Sequence, residues 1–84
     1  MSLFHQKRFR CPCCGFYTLD SRGEYDICEV CFWEDDLSQS EDELDDGGAN
    51  HVSLVEARKN YLAFGACVSE MVKHVRKPKP EEMD

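Results

Sequence analysis

Two Cys-x-x-Cys pairs constrain this chain more than any other feature. The first is Cys11-Pro12-Cys13-Cys14-Gly15, the second is Cys28-Glu29-Val30-Cys31, and 13 residues separate Cys14 from Cys28. That spacing is close to the one that brings four thiolates onto a single tetrahedral ion. Proline fixes one backbone angle of the first turn, and Gly15 can take the positive φ that aims backbone N–H groups at sulfur. The expectation is one structural zinc ion held by Cys11, Cys14, Cys28 and Cys31. A set of four cysteines also accepts iron, which is the less favoured metal here.

Between the pairs, Phe16-Tyr17-Thr18-Leu19 and Glu24-Tyr25-Asp26-Ile27 have strand-like content, and Asp20-Ser21-Arg22-Gly23 has turn chemistry. The reading is a hairpin with these two legs and one metal knuckle on each. Arg8-Phe9-Arg10 is expected to be a short strand entering the first knuckle with Phe9 facing inward. Lys7, Arg8 and Arg10 would offset the charge of about −2 on four thiolates around a divalent ion.

The stretches CPCCGFYTL (Cys11 to Leu19), YDICEVCFWEDD (Tyr25 to Asp36) and GGANHVSLVEARKNYLAFGA (Gly47 to Ala66) resemble, in the same order, the small bacterial cysteine-rich CPCC proteins. The resemblance covers most of the chain. It implies a zinc-ribbon or rubredoxin-like domain of largely unassigned role, with a loose association with toxin and immunity loci that suggests an immunity-like inhibitor. Phe32 stands where a symmetrical second knuckle would have glycine.

At 84 residues the chain is read as a single domain, 1–84, with a core so small that a structural metal can decide whether it folds. Three disulfides are the competing use of six cysteines. The N-terminal residues are polar and basic after Phe4, with no apolar run, so a reducing, cytoplasmic setting is expected. No stretch approaches the roughly 20 apolar residues of a membrane span.

Net charge is −7, and Glu34 to Asp46 holds eight acidic residues and no basic one, so the remainder carries +1. The segment 34–50 is expected to be a solvated acidic loop. Its acids lack the Asp-x-Asp-x-Asp-Gly order of an EF-hand, which argues against calcium. Glu34, Asp35, Asp36, Glu41, Asp42 and Glu43, with Trp33 beside them, are candidate contacts for a protein partner, which would be basic. The alternative for Phe32 and Trp33 is packing against the metal site. Acidity speaks against a nucleic-acid-binding ribbon, which would need Lys7, Arg8, Arg10 and Arg22 gathered near exposed Phe16, Tyr17 and Tyr25.

After Gly47-Gly48-Ala49-Asn50, Ser53 and Glu56 form a capping box that opens a helix. Leu54, Ala57, Tyr61 and Phe64 make its apolar stripe with Leu62 alongside, and Gly65 ends it. Ser69 is expected to cap a second short helix through Val75, and 78–84 to be a disordered tail.

Cys13 and Cys67 are left outside the ligand set. Both are read as small buried fillers, and His5, His51 and His74 as surface residues. A closed set of four cysteines leaves no open metal position for catalysis. The only enzymatic alternative is thiol-redox or metal-handling chemistry at Cys13. The fold class expected is small α+β: a zinc-ribbon-like β-hairpin with two knuckles and one or two C-terminal helices.

Overall fold

The structure is a computed structural model that describes residues 8–83, so the readings on Phe4, His5 and Lys7 lie outside it. Strand β1 (Phe9–Arg10) pairs antiparallel with β2 (Tyr17–Leu19), in the register Phe9↔Leu19 and Arg10↔Tyr17. The first knuckle is therefore the loop of its own hairpin. Residues 24–27 do not pair with β2 as expected. They turn back across the second knuckle instead: Ile27 bridges Glu34, flanked by Cys28 N–H to Trp33 O at 2.9 Å and Asp35 N–H to Asp26 O at 2.9 Å.

Side chains accompany the change of partner. The Asp20 and Ser21 N–H groups both donate to Asp26 Oδ2, and Gly23 N–H donates to Asp35 Oδ2 at 2.6 Å. These carboxylates tie the 20–23 turn to Asp26 and Asp35 through local side-chain to backbone bonds. Phe9 is 45% exposed rather than inward, where an irregularity in the register between Phe9 and Arg10 re-aims the strand.

The core is small and centred on the cysteines. Trp33, Leu19, Leu54, Val30 and Ala57 surround Cys11, Cys28 and Cys31, with Cys13 and Cys67 in the same cluster. The acidic run is not an open loop. Asp36 caps helix α1 (Leu37–Glu41) by accepting from Ser38 N–H, and its other carboxylate oxygen accepts from Ala49 N–H. These contacts hold its carboxyl below the ordinary value, the Ala49 bond most of all. Gln39, fully buried, donates from Nε2 to the Asp45 and Val52 carbonyls and accepts on Oε1 from Asn50. Asn50 in turn accepts from Glu34 N–H and donates to Glu34 O, taking the place of a neighbouring strand.

Helix α2 (Leu54–Phe64) starts and stops where its caps require: Ser53 Oγ accepts from Glu56 N–H, and Gly65 sits at φ 88. The return contact of the capping box is absent among the described residues, and Glu56 faces water. Leu54 and Ala57 are buried, but Phe64 is 40% and Leu62 86% exposed. The stripe outruns the core, which two turns of helix are enough to cover.

Ser69–His74 forms a 3-10 helix with Val68 at its N-cap and no side-chain cap, not an α-helix opened by Ser69. So short a segment, with Pro78 close behind, does not recover the cost of starting a regular helix. The described part of the expected tail, 78–83, is tied to the body rather than loose. Arg76 N–H donates to Glu29 O, its guanidinium bridges Glu29 and Glu82, and Pro80–Glu82 makes a 3-10 turn that buries Glu82. Among the described residues no helix is long and apolar enough to cross a membrane.

Candidate metal centre

The two knuckles repeat one backbone design. Gly15 N–H donates to Cys11 O at 2.8 Å, and Phe32 N–H donates to Cys28 O at 2.7 Å. Cys11 N–H reaches Phe16 O at 2.8 Å, and Cys28 N–H reaches Trp33 O at 2.9 Å. Gly15 has φ 84, and Phe32, the residue without the expected glycine, has φ 70. A left-handed phenylalanine costs roughly 1 to 2 kcal/mol. Its ring lies 5.8 Å from that of His74, a contact glycine could not make.

This backbone brings all four expected sulfurs together. The Cys11, Cys14, Cys28 and Cys31 Sγ atoms lie within 4.8 Å of one another, with Cys11–Cys31 at 3.6 Å and Cys14–Cys28 at 3.7 Å. A tetrahedron with metal–sulfur bonds of about 2.3 Å has edges of about 3.8 Å, so the group can hold a metal ion. These separations are far from the ~2.05 Å of a disulfide, and all six cysteines are free. Cys11, Cys28 and Cys31 are fully buried and Cys14 is half-buried.

The electrostatics suit a cation. Cys28 is pushed strongly down because the Cys11, Cys14 and Cys31 thiols and the Thr18 hydroxyl direct hydrogen bonds at its sulfur. Cys11 is pushed far up, first by its contact with Cys14 and then by Cys28, with burial adding to both. One negative charge is well placed in this nest, and each further one meets the first at short range. A divalent cation removes that repulsion and lets all four thiols ionise. Thr18 Oγ1 lies 2.9 Å from Cys28 Sγ, and Val30 N–H approaches the same sulfur at 3.4 Å. The sequence reading missed Thr18, whose place in β2 next to Phe16-Tyr17 carries no signal of a metal neighbour. It also missed Gln39 and Asn50, although Asp36 before Leu37-Ser38 is a readable helix cap.

The candidate partner residues divide. Trp33 is fully buried, with its indole N–H lacking a protein acceptor among the described residues, and Asp35 and Asp36 are 4% and 6% exposed. Trp33 therefore belongs to the packing alternative, and the two aspartates are occupied in holding backbone. Glu34 is half-buried; Glu41, Asp42 and Glu43 face solvent, Glu43 in an ion pair with Arg58 at 2.9 Å.

Cys13 is 7% exposed and Cys67 3%, and burial pushes the Cys67 thiol up to about 12. His51 and His74 lie at the surface as expected. Arg8 pairs with Asp20, and Arg10 donates to Gly15 O while lying over the Tyr17 ring. Phe16 is engaged edge-on with Tyr61.

Comparison with curated proteins gives no match. The family model described as cysteine-rich CPCC matches residues 9–82, a span that takes in both knuckles, α1, α2 and the turn that buries Glu82. The chain belongs to the cysteine-rich CPCC family.

Proposed function

We propose that this protein is a non-enzymatic, zinc-stabilised interaction module. One zinc ion on Cys11, Cys14, Cys28 and Cys31 ties the two knuckles together, and the acidic side that carries Glu34, Glu41, Asp42 and Glu43 meets a basic protein partner. The observation that carries this reading is the set of four sulfurs within 4.8 Å of one another, on cysteines of which three are fully buried, in the core. A closed site of this kind supplies folding energy and leaves no coordination position for a substrate.

The partner side rests on charge: the protein is at −7, Glu41, Asp42 and Glu43 face solvent, and Glu34 is half-buried. An immunity-like inhibitor of a toxin is one form such binding would take. The cytoplasm, which keeps thiols reduced, is the compartment this chemistry suits. Thiol-redox chemistry at Cys13 finds no support in a side chain only 7% exposed.

The test is native mass spectrometry of protein purified without added metal, paired with thiol alkylation. The reading requires one bound zinc, with Cys11, Cys14, Cys28 and Cys31 unmodified until a chelator is added. Metal-free folded protein, or prompt alkylation of those four, would sink it.

A further inference from the structure

A groove of about 380 Å³ opens beside the second knuckle, between the Ile27/Glu34 bridge, the 49–52 segment and the chain from Cys67 to Met71. Its apolar lining comes from Ile27, Phe32, Val52, Val68 and Met71, and Ile27 remains 47% exposed. Two carboxylates, Glu34 and Glu70, stand in the same lining, and neither has a salt bridge or side-chain hydrogen bond among the described residues. No lysine or arginine lines the groove. The surface thus combines an apolar floor with unneutralised negative charge.

The backbone beside it is also unfinished. The bonds that flank the Ile27/Glu34 pair, from Cys28 N–H to Trp33 O and from Asp35 N–H to Asp26 O, leave the N–H and C=O of both paired residues pointing outward. On the Glu34 side Asn50 fills both positions. On the Ile27 side no partner is found among the described residues. A free N–H and C=O pair next to a pocket is what an extended peptide uses, with main-chain bonds for affinity and the pocket for a side chain.

We propose that this groove is a docking site for a linear segment of a partner protein, in which an apolar side chain enters between Ile27 and Met71 and a neighbouring lysine or arginine pairs with Glu34 and Glu70. The occupant is fixed by charge complementarity: an apolar segment without a cation leaves both carboxylates uncompensated, and an acidic one is repelled. The inference deepens the reading of the protein as an interaction module, and moves the contact from buried Trp33 to the face formed by Ile27 and Glu34.

The test uses the metal-loaded full chain and a displayed library of random linear peptides, followed by titration calorimetry with the selected synthetic peptides. Enrichment of peptides with an apolar residue next to lysine or arginine is expected, with affinity lowered about tenfold or more by Glu34→Gln combined with Glu70→Gln, and similarly by Ile27→Ser. A consensus without a cation, equal affinity for the double variant, or self-association of the chain through this face overturns the docking site. Native mass spectra of the same samples separate the two readings. Failure to select peptides with the metal in place overturns the docking site alone, whereas folded protein without metal overturns the centre on which it rests.

Discussion

Thr18 Oγ1 stands 2.9 Å from Cys28 Sγ, so a hydroxyl from the first knuckle's hairpin reaches a sulfur of the second. Groups that hydrogen-bond to a ligand atom orient it and tune its basicity, and their loss commonly costs 10- to 100-fold in metal affinity. Thr18→Val keeps the shape and the β-branching of a strand position. It should bind zinc about tenfold more weakly in a competition titration with a chromophoric chelator, while the saturated protein keeps its fold.

Cys13 sits inside the first Cys-x-x-Cys pair yet belongs to the core rather than to the four-sulfur group. Cys13→Ala should therefore leave one ion per chain by native mass spectrometry, with stability lowered by about 1 kcal/mol for the lost packing. Loss of the ion in this variant would place Cys13 among the ligands.

Gln39 makes four hydrogen bonds, to Asp45 O, Val52 O and twice to Asn50, while fully buried. Gln39→Leu preserves much of the volume but strands those groups without partners, at a cost on the order of 3 kcal/mol. The effect should be local first: amide exchange of residues 45–52 rises sharply while that of the knuckles changes little. Uniform exchange across both regions would contradict the hub role.

Glu82 is held down to about 2, first by hydrogen bonds from Arg76 and also by Lys79 N–H. Its folded value lies below the unfolded 4.5, so its contribution is complete above about pH 4.5 and fades as pH falls toward 2. Glu82→Gln should cost about 2 kcal/mol near pH 7, and the gap from the parent protein in paired denaturant titrations should narrow as pH falls below 4.5. A gap independent of pH would mean that the carboxylate charge contributes nothing.

The cysteine pairs and α2 could be read from the chain because both are written locally. Both pairs carry the Cys-x-x-Cys spacing, the first with Gly15 behind it to make the turn, and Ser53 and Gly65 mark both ends of the helix they cap. What escaped the reading depends on contacts distant in sequence. Residues 24–27 have ordinary strand content, and their pairing across the second knuckle, with Asp26 and Asp35 also holding the 20–23 turn, is not written in that content. The acidic run looks solvated by composition, but Asp36 and Gln39 find Ala49 and Asn50 more than ten residues away. Glu82 lies in a segment of prolines and charges that reads as disordered, and only Arg76 and Arg8 explain its burial.

The central claim is that four sulfurs share one ion, and X-ray absorption at the zinc edge of protein purified without added metal addresses it most directly. The account predicts a first shell of four sulfurs at about 2.3 Å with no nitrogen or oxygen. A shell containing nitrogen or oxygen, or protein that folds with no metal to measure, would contradict it.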